Sequence, residues 1–518
     1  MTDQAAAKET ATKETATKET ATKETPVDEQ WIRTALAKAD MNVLRVVLYQ
    51  HTADPELKAM EVNLRGAPGN PYEIYGVSKE DRETIVDKGV AYLLNPDRPV
   101  KMDLNEAEVR ELIEMFEGKV VSDSASVAGY EELAFDGFKR RAQWPNGVRP
   151  AAADDFEVLI VGAGFSAIVA AIQLDSLGIN YRIVERQADF GGTWCLNTYP
   201  DARVDITTFI YNFTFEMNYP WRHAFAPREE LNEYTAFLVD KYSLRDRAQF
   251  ATKVVDAEWQ EDTAMWHVVI EGPDGKLETL NPNVVLSAAG LFSTPKLPDI
   301  EGIERYQGKM FHTTAWDHDY DYGGKRVALI GTGSTGSQLL PKVAPEVEHI
   351  TVYQRTPNWV TPVASYRSPI IEERKWLLAN LPAYANWNRY SFVDASVRAQ
   401  CFQDLDHDWR AQGGKINEKN DQLRAMLTNM VETKMAPKPE LIPHLIPDFA
   451  PLSRRIVVDN GFYDALLRDN VELETQGISH ITEKGIVGND GIEREFDLII
   501  LAAGFEVERY LYPVAYKG

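Results

Sequence analysis

Apolar residues are spaced in two different ways along this 518-residue chain. Over residues 26–140 the spacing is helical. Trp31, Ile32, Leu36 and Ala39 share one stripe, Leu44, Val47 and Leu48 continue it after a break, and Val109, Leu112, Ile113 and Phe116 form another. From Phe156 onward, short apolar runs alternate with glycine turns and helical stretches, the pattern of a parallel, doubly wound α/β sheet. Residues 254–259 and 266–270, with the turn Pro273-Asp274-Gly275, predict an antiparallel patch inside it. Residues 141–154, rich in Pro, Gly and Ala, read as the linker between the two regions. Between Pro362 and Ile446 the chain is helical and rich in Trp and Tyr, with no motif of its own.

Residues 1–25 carry a repeated Ala-Thr-Lys-Glu-Thr pentad that fits neither a helical stripe nor a strand, so a solvated tail is expected. A formal net charge of −24 argues against nucleic-acid partners and anionic membranes. No apolar run reaches the length of about 18 residues that a membrane span needs. The two cysteines, Cys195 and Cys401, are too far apart in sequence for a CxxC redox pair, which points to a reducing, cytoplasmic setting. No metal-ligand spacing is present.

Candidate chemistry begins with EVLIVGAGFSAIVAA. A strand enters Gly162-Ala163-Gly164, and a helix leaves it with the small Ala167 facing the strand. Gly162 allows the tight turn, and Gly164 lets the backbone approach a pyrophosphate. The next strand ends at Glu185, 23 positions beyond Gly162, where a carboxylate accepts hydrogen bonds from a ribose diol. RVALIGTGSTGSQLL repeats the pattern with Gly331, Gly333 and Gly336. There the following strand ends 24 positions on, at Arg355, suited to a 2′-phosphate that a carboxylate would repel. Two Rossmann-like folds are therefore expected, the first for FAD and the second for NADPH.

Two further stretches carry a family resemblance. In GGTWCLNTYPDARVD, Gly192, Trp194, Tyr199, Pro200 and Asp205 resemble a fingerprint of type I Baeyer–Villiger monooxygenases, with Asp201 departing from the Gly or Met usual there, and Gly192, Thr193 and Trp194 are expected to contact the cofactor. In YQGKMFHTTAWD, Gly308, His312, Trp316 and Asp317 resemble the family's second fingerprint. The N-terminal helical extension is most similar to the 4-hydroxyacetophenone monooxygenase branch. In that branch the extension supports dimers, which implies a homodimer here.

The resemblance implies that NADPH reduces FAD, that O2 adds to give a C4a-peroxide, and that a small-molecule ketone becomes an ester or lactone. It implies Arg455 as the cation beside the reacting oxygens, Asp205 as its partner, and Arg454 as a second contact to the NADPH 2′-phosphate. His312 is expected to couple the domains, with Gly308, Trp316 and Asp317 beside it. The domain division that follows is FAD-binding over 155–300, NADPH-binding with a helical insertion over 301–470, and a return to the FAD fold over 471–518, beginning at FDLIILAAGF. Family members continue further, so this last part is expected to be truncated. An N- or S-oxygenating flavoenzyme, and a flavin-binding remnant without productive oxygenation, stay open as alternatives.

Overall fold

The computed structural model describes residues 28–66, 72–363, 365–509, 511 and 513–518, so the pentad repeat lies outside the described residues. The chain divides into two units.

Among the described residues, the first unit is helical and draws on residues 28–63, Tyr75–Val127 and Ile371–Asn388. Asp40 opens helix Met41–Thr52 by accepting the Asn42 and Val43 N–H groups, which satisfies donors the helix cannot use itself. Helix Glu106–Glu117 starts with a capping box between Asn105 and Glu108. Its predicted stripe, Val109, Leu112, Ile113 and Phe116, is buried. Arg45 is only 1% exposed. Its guanidinium donates to Asn42 Oδ1, to the Leu57 carbonyl at 3.1 Å and to the Met60 and Met115 carbonyls, tying loop ends to the helix. Burial pulls its pKa down to about 10.

Two sequence boundaries need correction here. Helix Glu372–Asn380, placed by sequence in the 301–470 domain, packs in this unit instead, where Trp387 Nε1 donates to Gln50 Oε1 at 2.7 Å. Conversely, among the described residues, 64–66 and 72–74 cluster with the second unit, together with Ala128–Ile370 and Arg389–Gly518. Within that unit Arg398 donates to the Glu73 carbonyl at 2.7 Å, and Arg389 pairs with Glu132 at 2.8 Å. Both contacts are remote in sequence and leave no local pattern.

The second unit holds two parallel sheets. In the first, Ala248–Gln249, Asn180–Val184, Glu157–Val161 and Val284–Ser287 lie side by side in that order. The second runs Lys309–His312, Leu498–Leu501, Arg326–Ile330, His349–Tyr353 and Val471–Glu474, all parallel. This is the doubly wound α/β class expected. The expected return to the first fold at FDLIILAAGF does not occur. Leu498–Leu501 is buried at every position and completes the second sheet between two of its strands, and Val471–Glu474 forms that sheet's edge. Near the C-terminus Tyr516–Lys517 pairs with Lys253–Gln260. The latter strand belongs to the predicted antiparallel patch, with Met265–Glu271 and Leu277–Leu280.

Replacing Arg45 by Leu would leave the buried carbonyl of Leu57 and the half-buried carbonyls of Met60 and Met115 without this donor. The expected loss is about 2–4 kcal/mol, read as a lower denaturant midpoint for the helical unit.

Candidate functional site

The first glycine turn shapes a cavity of about 290 Å³. Gly162 takes φ +107°, and a Cβ there would stand 2.6 Å from the Ala288 carbonyl oxygen, so only glycine fits. A second glycine loop closes on the first: a Cβ on Gly192 would meet Gly164 Cα at 2.8 Å. Helix Phe165–Leu177 begins at Gly164 without a side-chain cap, leaving its first N–H groups for an anion. Ala167, fully buried, gives the helix its close seat.

Of the sequence candidates, Gly162, Gly164, Glu185, Gly192, Thr193 and Trp194 all line this cavity. Glu185 is buried and already holds its own fold together, accepting the Ala163 and Gln187 N–H groups at 2.7 Å each. A carboxylate oxygen has a second lone pair, so capacity for a diol remains. The Trp194 indole N–H donates to the Tyr211 hydroxyl at 3.0 Å, and Tyr211 is itself a wall residue. Burial raises the Tyr211 pKa, and Asp205 and Arg455 both act on its hydroxyl through their charge. Sequence reasoning missed Tyr211, Arg186 and the C-terminal wall residues Val514 and Tyr516, none of which belongs to a local motif.

The second fold repeats the steric logic. Gly331 takes φ +110°, with the Ala502 carbonyl where its Cβ would lie, and Gly336 is seated against Gly331. Gly333 opens on free space and starts helix Ser334–Val343, again uncapped. Arg355 is exposed just beyond strand His349–Tyr353, and the Arg454 guanidinium lies 4.7 Å from the Phe449 ring centre.

Arg455 forms an ion pair with Asp205, so the last residue of the first fingerprint meets the arginine 250 positions later. The second fingerprint sits away from the cavity wall. Trp316 is buried edge-on against Phe311 at 5.0 Å, Asp317 pairs with Lys309, and Gly308 packs under its neighbour Tyr306. His312 Nδ1 faces the Thr314 N–H at 3.2 Å, and Nε2 lies 3.1 Å from the Gly504 carbonyl. Both contacts are satisfied by a neutral ring protonated on Nε2, and burial lowers its pKa. Asp201, the departure from the fingerprint, has φ +66° and a carboxylate only 5% exposed. It accepts from Arg203 at 2.7 Å and from Arg367 at 2.9 Å, an arrangement neither Gly nor Met could make.

Among the described residues, no group of three metal-ligating side chains occurs and no helix is long and apolar enough to cross a membrane.

The model of the flavin-binding monooxygenase-like family matches residues 156–368. An uncharacterized monooxygenase, y4iD of Sinorhizobium fredii, is 33% identical, covering 94% of this chain and 73% of its own. Baeyer–Villiger monooxygenases of Pseudomonas aeruginosa and Streptomyces coelicolor are 34% and 33% identical over 69% and 68% of this chain. The chain spans 64% of the length of each of these two relatives. A steroid monooxygenase solved with NADP superposes at TM-score 0.59, with 29% identity, over 69% of this chain and 73% of that one. OTEMO solved with FAD and NADP gives 0.57, with 28% identity, over 68% and 72%. The chain belongs to the flavin-binding monooxygenase family. Its relatives there include Baeyer–Villiger monooxygenases.

His312 should make the fold acid-sensitive. A lowered pKa means the unfolded chain binds the extra proton first, so stability is complete above the ordinary value of about 6.5 and falls as pH drops below it. The loss in melting temperature between pH 8 and pH 5.5 should be smaller in His312→Phe than in the parent.

Proposed function

We propose that this chain binds FAD in the first fold and NADPH in the second, and inserts one oxygen atom of O2 beside the carbonyl of a ketone, giving an ester or lactone. Aryl ketones such as 4-hydroxyacetophenone are the proposed substrate class, and a homodimer the proposed assembly. The carrying observation is the ion pair between Arg455 and Asp205, two residues whose charge reaches Tyr211 in the cavity wall. The cavity supports flavin binding on its own terms: two glycine loops leave room for backbone to approach a pyrophosphate, and a helix offers uncapped N–H groups.

Bound and reduced flavin would supply the oxygen-activating chemistry. Negative charge then builds on the oxygen attached to the former carbonyl carbon, and Arg455 supplies the matching cation. Asp205 holds that guanidinium by one edge and leaves its other N–H groups free to donate. The Arg455 side chain is 63% exposed, so water screens its charge in the open site. Bound substrate excludes that water, and the same charge then acts more strongly. The Tyr211 hydroxyl accepts from Trp194 and keeps its own proton to donate into the cavity. In the second fold, Arg355 and Arg454 are the proposed holders of the 2′-phosphate.

The test is product analysis with FAD, NADPH, O2 and 4-hydroxyacetophenone. Ester should form, and Arg455→Ala should lower its rate by about 10²–10³-fold while flavin is retained. Oxidation of thioethers with no ester from any ketone would instead select an S-oxygenating enzyme. A second pair of variants separates the folds. Gly162→Ala should abolish flavin retention, whereas Gly331→Ala should retain flavin yet fail to bind NADP in a titration, because each added methyl strikes a backbone carbonyl.

A further inference from the structure

Gln338 is a polar side chain in the interior of the second fold, 4% exposed, on the helix that leaves the second glycine turn. Its amide is fully used. Oε1 accepts from the Tyr199 hydroxyl at 2.8 Å, and Nε2 donates to the Arg203 carbonyl at 3.1 Å and to the Tyr366 hydroxyl at 3.0 Å. Tyr199 and Arg203 belong to the first fingerprint, whereas Tyr366 lies in the second fold's chain after strand His349–Tyr353. One amide therefore joins three segments.

Ion pairs brace the same junction. Arg203 Nη1 donates to the Tyr366 carbonyl at 3.0 Å, and its guanidinium lies 5.4 Å from the Tyr366 ring centre. Asp201 pairs with both Arg203 and Arg367. Asp205, which holds Arg455, comes only two residues after Arg203.

A buried amide with every group satisfied tolerates no small rotation, because any shift leaves a donor or acceptor without water to replace its partner. We propose that Gln338 is a positioning residue: it fixes the second dinucleotide fold against the first fingerprint, and so sets the alignment of NADPH on the flavin and the placement of the Asp205–Arg455 pair. The proposal rests on the reading of the two folds as FAD and NADPH sites.

Three variants of the full-length, FAD-loaded chain test it. Gln338→Leu keeps the volume and removes all three hydrogen bonds. Tyr366→Phe removes one hydroxyl and keeps the ring over Arg203. Gln338→Glu keeps the shape, but as a carboxylate it cannot donate to the Arg203 carbonyl, whereas protonated it can. The charged and titratable groups around that position are Asp201, Arg203, Asp205 and Arg367, with the Tyr199 and Tyr366 hydroxyls.

Anaerobic mixing with NADPH measures flavin bleaching, and dithionite serves as a reductant that needs no alignment. Gln338→Leu should slow bleaching by NADPH about 10–100-fold with dithionite reduction unchanged, the scale expected when reacting groups are displaced by about 1 Å. Tyr366→Phe should show a smaller loss, and Gln338→Glu should recover as pH falls. Folded, flavin-loaded Gln338→Leu reduced by NADPH within twofold of the parent would overturn the proposal. If NADPH does not reduce the parent chain at all, the cofactor reading fails, and hydrogen exchange still judges the joint. Amides of residues 199–205 and 365–369 should then exchange about tenfold or more faster in Gln338→Leu, and unchanged exchange would discard it.

Discussion

Both dinucleotide folds depend on one steric constraint, the carbonyl oxygen that occupies the place where a side chain would begin. At Gly162 the obstacle is Ala288, and at Gly331 it is Ala502. In each case the strand that follows the crossover ends in an Ala-Ala-Gly turn, pressed against the glycine that starts the fold. This contact brings the helix N-terminus close to the ends of two parallel strands. The uncapped N–H groups then face the cleft and not a neighbouring side chain. Remove the contact, and the anion site, the cavity and the seat of the helix are lost together.

Around that backbone frame, polar groups are held by one another before any ligand enters. Glu185 is tied by two amides, Trp194 by Tyr211, and Asp205 by Arg455. Preorganisation of this kind is what an electrostatic catalyst needs, since groups already aimed require no rearrangement when charge develops. The second fingerprint serves the frame in a different way. Trp316, Asp317 and Gly308 pack and pair at the start of the second sheet, while His312 reaches the Gly504 carbonyl at its far end. Asp201 shows how a departure from a family pattern can carry its own logic: a residue that tolerates positive φ also supplies a buried carboxylate between two arginines.

The sequence by itself determined the two glycine turns, the order of strand, turn and helix, and the amphipathic stripes of the N-terminal helices. Each of these is local, because steric demands at a turn and periodicity along a helix act over a few residues. It also named Arg455 and Asp205, through resemblance and not through spacing. What only the tertiary structure decided was which sheet a buried strand joins, and which remote side chains meet. Leu498–Leu501 is apolar at all four positions and would suit either sheet; its place was set by the gap between two strands of the second. Nothing in the sequence marks Gln338 among the other polar residues of its helix, and helix Glu372–Asn380 reads there as part of a nearby insertion. Their partners lie far off along the chain, where hydrogen bonding and burial are settled by packing that no local pattern encodes.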